Sequence, residues 1–278
     1  YIYMYIDISI TGSPISHSLS PVLHNYWLKK YNIEGEYVLM EESEKNLANI
    51  IKKIRNKELD GINVTLPYKQ KIIPFLDKLV NDAKNTNSVN TIYLDNDSSV
   101  IGENTDVFGI QAAYLKQISH VENKKALVIG AGGVAPSIIF ALRKTKISNI
   151  SIINRTKEKS LFLKKKFNYL SVLEWDNLEN EIINFDLIIN ATSLGLKGKE
   201  DFNLNFDLAK VKKRLVFIDT IYNPLETKTL KLLKNADIKT FNGLEMLIYQ
   251  GQKSFYLWNK INPEIDDSLI ELLMSKIK

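Results

Sequence analysis

The chain has 278 residues, 45% of them hydrophobic, a formal net charge of +5 and no cysteine. That length and apolar content suffice for two domains of ordinary size, and the missing cysteines exclude disulfides, thiolate metal sites and a cysteine nucleophile while agreeing with a reducing compartment. His17, His24 and His120 show no paired spacing, so no structural zinc or other metal site is expected.

The positive charge is spread as lysines along helices, as in Leu163-Lys164-Lys165-Lys166-Phe167. Without interleaved aromatics such a run reads as a solvated helix face and not as a nucleic-acid surface. The opening Tyr1-Ile2-Tyr3-Met4-Tyr5-Ile6 is apolar but has no basic leader and meets Asp7 at once, so a strand over residues 1–10 is expected and not a signal peptide. The lack of an initiator Met suggests numbering that starts inside or just after the native start. No apolar run approaches the roughly 20 residues of a membrane span, and a soluble, cytoplasmic protein is expected.

The first strand ends at the turn Thr11-Gly12-Ser13-Pro14. In Ser18-Leu19-Ser20-Pro21, Pro21 suits the first position of a helix and Ser20 its N-cap, with Val22, Leu23, Tyr26 and Trp27 on one face. Ser18 has no such structural task, and two hydroxyls at a strand-to-helix loop suit a polyhydroxylated or carboxylate ligand. A strand at 36–40, an amphipathic helix at 47–54 and a strand at 61–66 continue an α/β alternation. In that last strand Ile62, Val64 and Leu66 face one way, leaving Asn63 and Thr65 on the other, at a carboxyl edge where open α/β sheets bind ligands. Lys69 follows at the start of the next helix, where a plain surface lysine is the commoner explanation. Residues 82–87 read as a polar link to a strand at 89–93, which forms a hairpin through Asp95-Asn96-Asp97 with 100–102. Asp106 either caps the helix 107–115 or does chemistry; the residues alone leave both open. Around 104–115 the first domain gives way to the second.

The second domain reads as strand 126–129, helix 136–143, strand 150–153, helix 157–167, strand 171–173, strand 185–190 and strand 215–219. Its first strand runs into Gly130-Ala131-Gly132-Gly133-Val134-Ala135, the G-x-G-x-x-A form of the dinucleotide fingerprint. The glycines permit a tight turn and a close approach of pyrophosphate to the helix N-terminus. After the second strand, where an NAD site usually offers a carboxylate, this chain has Asn154-Arg155-Thr156. Arg155 can stack on adenine or clamp a 2′-phosphate and Lys159 adds charge, so the expected cofactor is NADP; the plain alternative is an incidental glycine loop beside a solvated basic turn. Tyr222 lies past the strand 215–219 and is expected to point into a crevice. Helices at 244–258 and 266–277 close the chain and could pack on either domain.

Taken together, Ser18 to Pro21, Asn63-Val64-Thr65 with Pro67 and Lys69, Val89-Asn90-Thr91, Asn104-Thr105-Asp106, Gly130 to Gly133, Asn154-Arg155-Thr156, Asn190-Ala191-Thr192-Ser193, Asp219 with Tyr222 and Pro224, and Gly243-Leu244 leading to Gln250 resemble the shikimate dehydrogenase family over essentially the whole chain. The resemblance implies an α/β protein with an N-terminal open α/β substrate domain, residues 1–106 plus returning helices 244–278. A C-terminal Rossmann-type NADP domain, 107–243, completes it, with the active site in the cleft between them. It implies an NADP-dependent oxidoreductase interconverting 3-dehydroshikimate and shikimate, as monomer or homodimer. Lys69 and Asp106 are then the catalytic pair, and Ser18, Ser20, Asn63, Thr65, Asn90, Asp106, Tyr222 and Gln250 surround the substrate. Gly130, Ala131, Gly132, Gly133, Val134, Asn154, Arg155, Thr156, Lys159, Thr192, Thr220 and Gly243 are the implied cofactor contacts. The alternatives are a quinate/shikimate dehydrogenase using NAD and a nucleotide-sensing module without turnover, which would have no need of an acid–base pair. Two departures stand out: Asn87 where the family usually has Gly, which Asn can replace in left-handed backbone, and Pro136 at a position that is often basic.

Overall fold

The computed structural model describes residues 5–202 and 207–277, and the chain divides into two compact units. Unit 1 comprises Tyr1–Gly109 with Leu247–Lys276, and unit 2 comprises Ile110–Met246 with Ile277–Lys278.

In chain order, unit 1 runs β1 (Ile6–Thr11), α1 (Ser20–Lys30), β2 (Gly35–Leu39), α2 (Leu47–Arg55), β3 (Gly61–Val64), β4 (Lys78–Leu79), α3 (Asn81–Thr86), β5 (Thr91–Leu94), β6 (Val100–Glu103) and the start of α4 (Asp106–Ala113). The expected first strand is present from Ile6, and residues 1–4 of that expectation lie outside the described residues. The sheet order is β2-β1-β3-β5-β6-β4, parallel at β2-β1-β3 and antiparallel across β3, β5 and β6. Its pairing register puts Ile8, Ile10, Tyr37, Gly61, Asn63, Thr91 and Glu103 on one face. Ile62, Val64 and Ile92 lie on the other, where Leu47, Ile50, Ile51 and Ile54, spaced one helical stripe apart on α2, cover them.

Four local expectations are corrected. The strand β3 stops at Val64, so Leu66 is 58% exposed in the following turn and does not continue the apolar face. Lys69 sits in consecutive turns, not at a helix start; these end in a single 3₁₀ turn at Ile73–Phe75. The polar stretch 82–87 is not a plain link: residues 82–86 belong to helix α3 and Asn87 is its left-handed C-cap. Ser20 is the first residue of α1 and not its cap: the cap position is Leu19, without a side-chain bond, and the buried stripe is Ser20, Leu23, His24, Trp27 and Leu28.

Unit 2 continues with β7 (Ala126–Ile129), α5 (Ala135–Lys144), β8 (Ile150–Ile153), α6 (Lys157–Lys166), β9 (Leu170–Leu173), α7 (Leu178–Glu181), β10 (Leu187–Asn190), β11 (Val216–Asp219), α8 (Lys228–Asn235) and β12 (Lys239–Phe241). All pairings are parallel in the order β12-β11-β10-β7-β8-β9, the Rossmann arrangement, whose order reverses between β7 and β10. Every residue of β7, β8, β10 and β11 is buried, as strands covered on both faces require. The helices α9 (Leu244–Asn259) and α10 (Asp267–Lys276) end the chain. Among the described residues no helix is long and apolar enough to cross a membrane.

Helix α9 packs closely on β3. A Cβ added at Gly61 would stand 2.1 Å from Trp258 Nε1, and that indole is itself held by donating to the Ile92 carbonyl at 3.0 Å. Gly61→Ala is therefore expected to lower stability by about 1–3 kcal/mol through overpacking. Denaturant titration followed by Trp fluorescence checks this, and an unchanged midpoint would show that the indole yields freely.

Candidate active site

Unit 1 gathers an unusual number of polar side chains on the sheet face beneath α9, and nearly all of them pair with one another. Val64 N–H donates to the Asn90 carbonyl at 2.9 Å and Val89 N–H to the Lys69 carbonyl at 2.8 Å, so the chain segments around 64, 69 and 90 are locked together by backbone bonds. From this base Lys69 Nζ reaches Asp106 Oδ2 at 2.5 Å, with the two side chains 13% and 5% exposed. Asn90 Nδ2 donates to Asp106 Oδ1 at 3.0 Å and approaches Gln250 Oε1 at 3.2 Å and Thr105 Oγ1 at 2.9 Å. Its amide cannot turn over, because Asn90 Oδ1 accepts from the Thr105 backbone N–H at 2.7 Å. Asp106 is not the cap of α4: Asn104 Oδ1 accepts from Val107 N–H at 3.3 Å and leaves the Asp106 carboxylate to Lys69 and Asn90. Ser18 does have a local task, since its Oγ accepts from Ser20 N–H at 3.3 Å. Thr65, half-buried, is tied through its backbone to the Thr11 carbonyl at 2.9 Å.

In unit 2 the glycine loop has the form that a phosphate cradle needs. Gly130 has φ +106°, and a Cβ there would lie 2.8 Å from Thr192 Cγ2 and 3.1 Å from the Ala191 backbone, so only glycine fits. Gly132 is exposed and uncrowded just before α5, its virtual Cβ meeting only the Ala191 carbonyl oxygen, at an ordinary contact distance of 3.9 Å. Asn154 shapes this loop from the end of β8, accepting from Ala131 N–H at 3.1 Å and donating to the Thr156 carbonyl at 2.8 Å. Arg155, Thr156 and Lys159 are exposed next to it. Across the switch point, Asn190 Oδ1 accepts from Thr192 N–H and Oγ1 at 3.0 and 2.7 Å, and its Nδ2 donates to Asp219 at 3.1 Å. Thr220 Oγ1 donates to the Asn190 carbonyl at 2.9 Å. Gly243 N–H donates to the Ile221 carbonyl at 2.7 Å in an approach so close that a Cβ would sit 2.2 Å from the Thr220 carbonyl oxygen.

Comparison with known proteins agrees with both halves. A model described as the shikimate dehydrogenase substrate binding domain matches residues 10–92, and one described as shikimate / quinate 5-dehydrogenase matches 113–246. A protein of Pelagibacter ubique named shikimate dehydrogenase (NADP(+)) is 47% identical over 95% of this chain and 97% of its own length. The chain belongs to the shikimate dehydrogenase family. A crystal structure of a shikimate dehydrogenase in complex with NADP+ superposes with a TM-score of 0.88 at 33% identity, covering 99% of this chain and 96% of that one. The Thermus thermophilus enzyme, solved with NADP(H) and shikimate, gives 0.84 at 29% identity over 98% and 100%.

Within this shikimate dehydrogenase fold both departures from the family pattern are accommodated. Asn87 takes φ +50° and ψ +42°, the left-handed conformation anticipated for it, and Pro136 lies in the first turn of α5, where its missing N–H costs no helix bond. Unit 1 brings Ser20, Asn63, Lys69, Asn90, Asp106 and Gln250 into or beside one hydrogen-bonded cluster, whereas Tyr222 belongs to unit 2. Sequence reading missed Tyr37, Thr91, Thr105 and Ser254, which carry much of that cluster. A signal was present: Gln250, Ser254 and Trp258 recur every four residues along α9, a polar pair on an otherwise apolar stripe.

Asp219 generates a prediction. Burial raises its carboxyl to about 6, against the lowering influence of Thr227, Ile221 N–H and Asn190. The unfolded chain releases this proton near 3.8 while the native state holds it to about 6, so this group's contribution to stability falls as pH rises across that interval. The stability advantage of the wild type over Asp219→Asn should accordingly shrink by on the order of 2–3 kcal/mol between about pH 4 and pH 7. Paired unfolding titrations check the slope; a pH-independent difference would mean that the carboxyl titrates normally.

Proposed function

We propose that this chain is a soluble, cytoplasmic NADP-dependent shikimate dehydrogenase, interconverting 3-dehydroshikimate and shikimate on the route to the aromatic amino acids. The observation that carries the reading is the Lys69–Asp106 pair, 2.5 Å apart and almost excluded from water, whose lysine lies within the family's substrate-domain segment, residues 10–92. Unit 1 is read as the substrate domain and unit 2 as the NADP domain. Ser18, Ser20, Asn63, Thr65, Asn90 and Gln250 hold the substrate's hydroxyls and carboxylate; Tyr222 is carried over from the family motif alone.

The glycine loop fits a pyrophosphate, as the exposed, uncrowded Gly132 and the forced glycine at 130 indicate. Gly130 to Val134 would take the phosphates, Arg155 and Lys159 the 2′-phosphate, and Asn154, Thr156, Thr192, Thr220 and Gly243 the surrounding cradle. When bound, the nicotinamide supplies or accepts the hydride. The protein's part is to manage the proton. In the reducing direction negative charge develops on the substrate oxygen, and Lys69 Nζ donates a hydrogen bond and then its proton there. Asp106 holds the ammonium in place, and Asn90 aims Asp106.

Two variants separate these roles. Lys69→Gln keeps a donor for Asp106 but no transferable proton, so kcat should fall by about 10²–10⁴-fold. The shikimate Kd by calorimetry should change little; if only KM rises, Lys69 is a binding residue. Arg155→Asp should weaken NADP far more than NAD, since charge-assisted bonds contribute roughly 1.5–3 kcal/mol each. Equal weakening of both cofactors in a fluorescence titration would remove the phosphate clamp from the account.

A further inference from the structure

We propose that Tyr37 is a positioning residue for substrate: its phenol holds in place the Asn63 oxygen, which the Asn90 carbonyl has already turned outward from the nitrogen's partners, so that Asn63 meets the ligand only as an acceptor and engages a ring hydroxyl and not a carboxylate or ketone oxygen. This rests on the reading of unit 1 as the shikimate site.

The hydrogen bonds leave Asn63 no other choice. The Asn90 carbonyl can only accept, so the Asn63 atom 2.9 Å from it is Nδ2. That nitrogen also faces Thr91 Oγ1 at 3.0 Å and Ser254 Oγ at 3.2 Å, which occupies both of its protons inside the protein. The opposite atom, Oδ1, accepts from the Tyr37 hydroxyl at 2.8 Å. A carbonyl oxygen has two lone pairs and Tyr37 uses one. The capacity that remains on Asn63 is a single acceptor site, and a ligand must bring the proton.

Tyr37 is itself held firmly enough to keep that oxygen in place. Asn25 clamps its backbone in both directions, donating from Nδ2 to the Tyr37 carbonyl and accepting at Oδ1 from Tyr37 N–H, each at 2.9 Å. The ring, 1% exposed, lies flat on the His24 imidazole with centroids 4.4 Å apart and 6° between planes. Ile8 and Ile10 pack beside it. The Ser20 hydroxyl faces the phenol oxygen and opposes the rise in pKa that burial causes. One phenol thus links the ends of α1 and β3, both of which carry proposed substrate contacts.

Tyr37→Phe keeps the stacked ring and removes only the hydroxyl. The expected result is a KM for shikimate raised roughly 5- to 10-fold, as for one hydrogen bond lost. The kcat should stay within about twofold and the KM for NADP should not change. In an Asn63→Ala background the same substitution should add nothing, since Tyr37 acts through Asn63. Asn25→Ala, an exposed change that loosens the clamp, should raise the same KM more weakly and serves if Tyr37→Phe does not fold. An unchanged shikimate KM, an equal rise in both backgrounds, or a parallel loss of kcat and NADP affinity would overturn the role given to Tyr37. A wild type inert toward shikimate and NADP would instead overturn the functional reading and this inference with it.

Discussion

An ammonium and a carboxylate stay charged out of water only if the remaining lone pairs and protons of each are satisfied, because the desolvation of both ions is otherwise larger than their attraction. On the carboxylate side Asn90 meets this condition for Asp106, donating to Oδ1 while Lys69 bonds Oδ2, and its own amide is fixed by the Thr105 backbone N–H. Everything else in unit 1 can be understood as support for that arrangement. The sheet register puts Asn63 opposite Thr91 and Thr91 opposite Glu103 on one face, and α9 places Gln250 and Ser254 over them. Removing Asn90 would strip Asp106 Oδ1 of its donor and the Thr105 backbone N–H of its acceptor, at about 1–3 kcal/mol for each group left unpaired.

Unit 2 uses the same device for a different end. Asn190 and Asp219, both fully buried at the carboxyl ends of adjacent strands, tie together the segments 190–194, 219–221 and, through Thr227, the N-terminus of α8. The Thr192 side chain and the Ala191 backbone then press on Gly130 and set the course of the glycine loop. The turn after β7 is thus held from behind by a carboxyl that burial makes reluctant to ionise.

Much of this was legible in the sequence because it is written in periodicities and punctuation. Four-residue apolar runs gave the buried strands of unit 2, a helical stripe gave α2, and the glycines gave the loop after β7. The misreadings occurred where side-chain competition decides the backbone. Ser20 looked like a cap because serine before proline so often is one, yet Ser18 takes its N–H and Ser20 turns inward as the first helical residue. Lys69 looked helical by spacing, but its carbonyl is taken by Val89 N–H, from the segment leading into β5 twenty residues on. Tyr37 was missed because a lone Tyr in a strand carries no pattern and only the fold brings it to Asn63, whereas Ser254 fell on a four-residue spacing that was there to be read.

The central claim is that this hydrogen-bonded pair works on shikimate with NADP. It is tested most directly by crossing shikimate and quinate with NADP and NAD on the wild-type protein and following reduced nicotinamide by its near-ultraviolet absorbance. Shikimate with NADP should exceed the other three combinations by roughly tenfold or more in kcat/KM. Equal or faster turnover of quinate with NAD, or no turnover with any pair, would contradict the account.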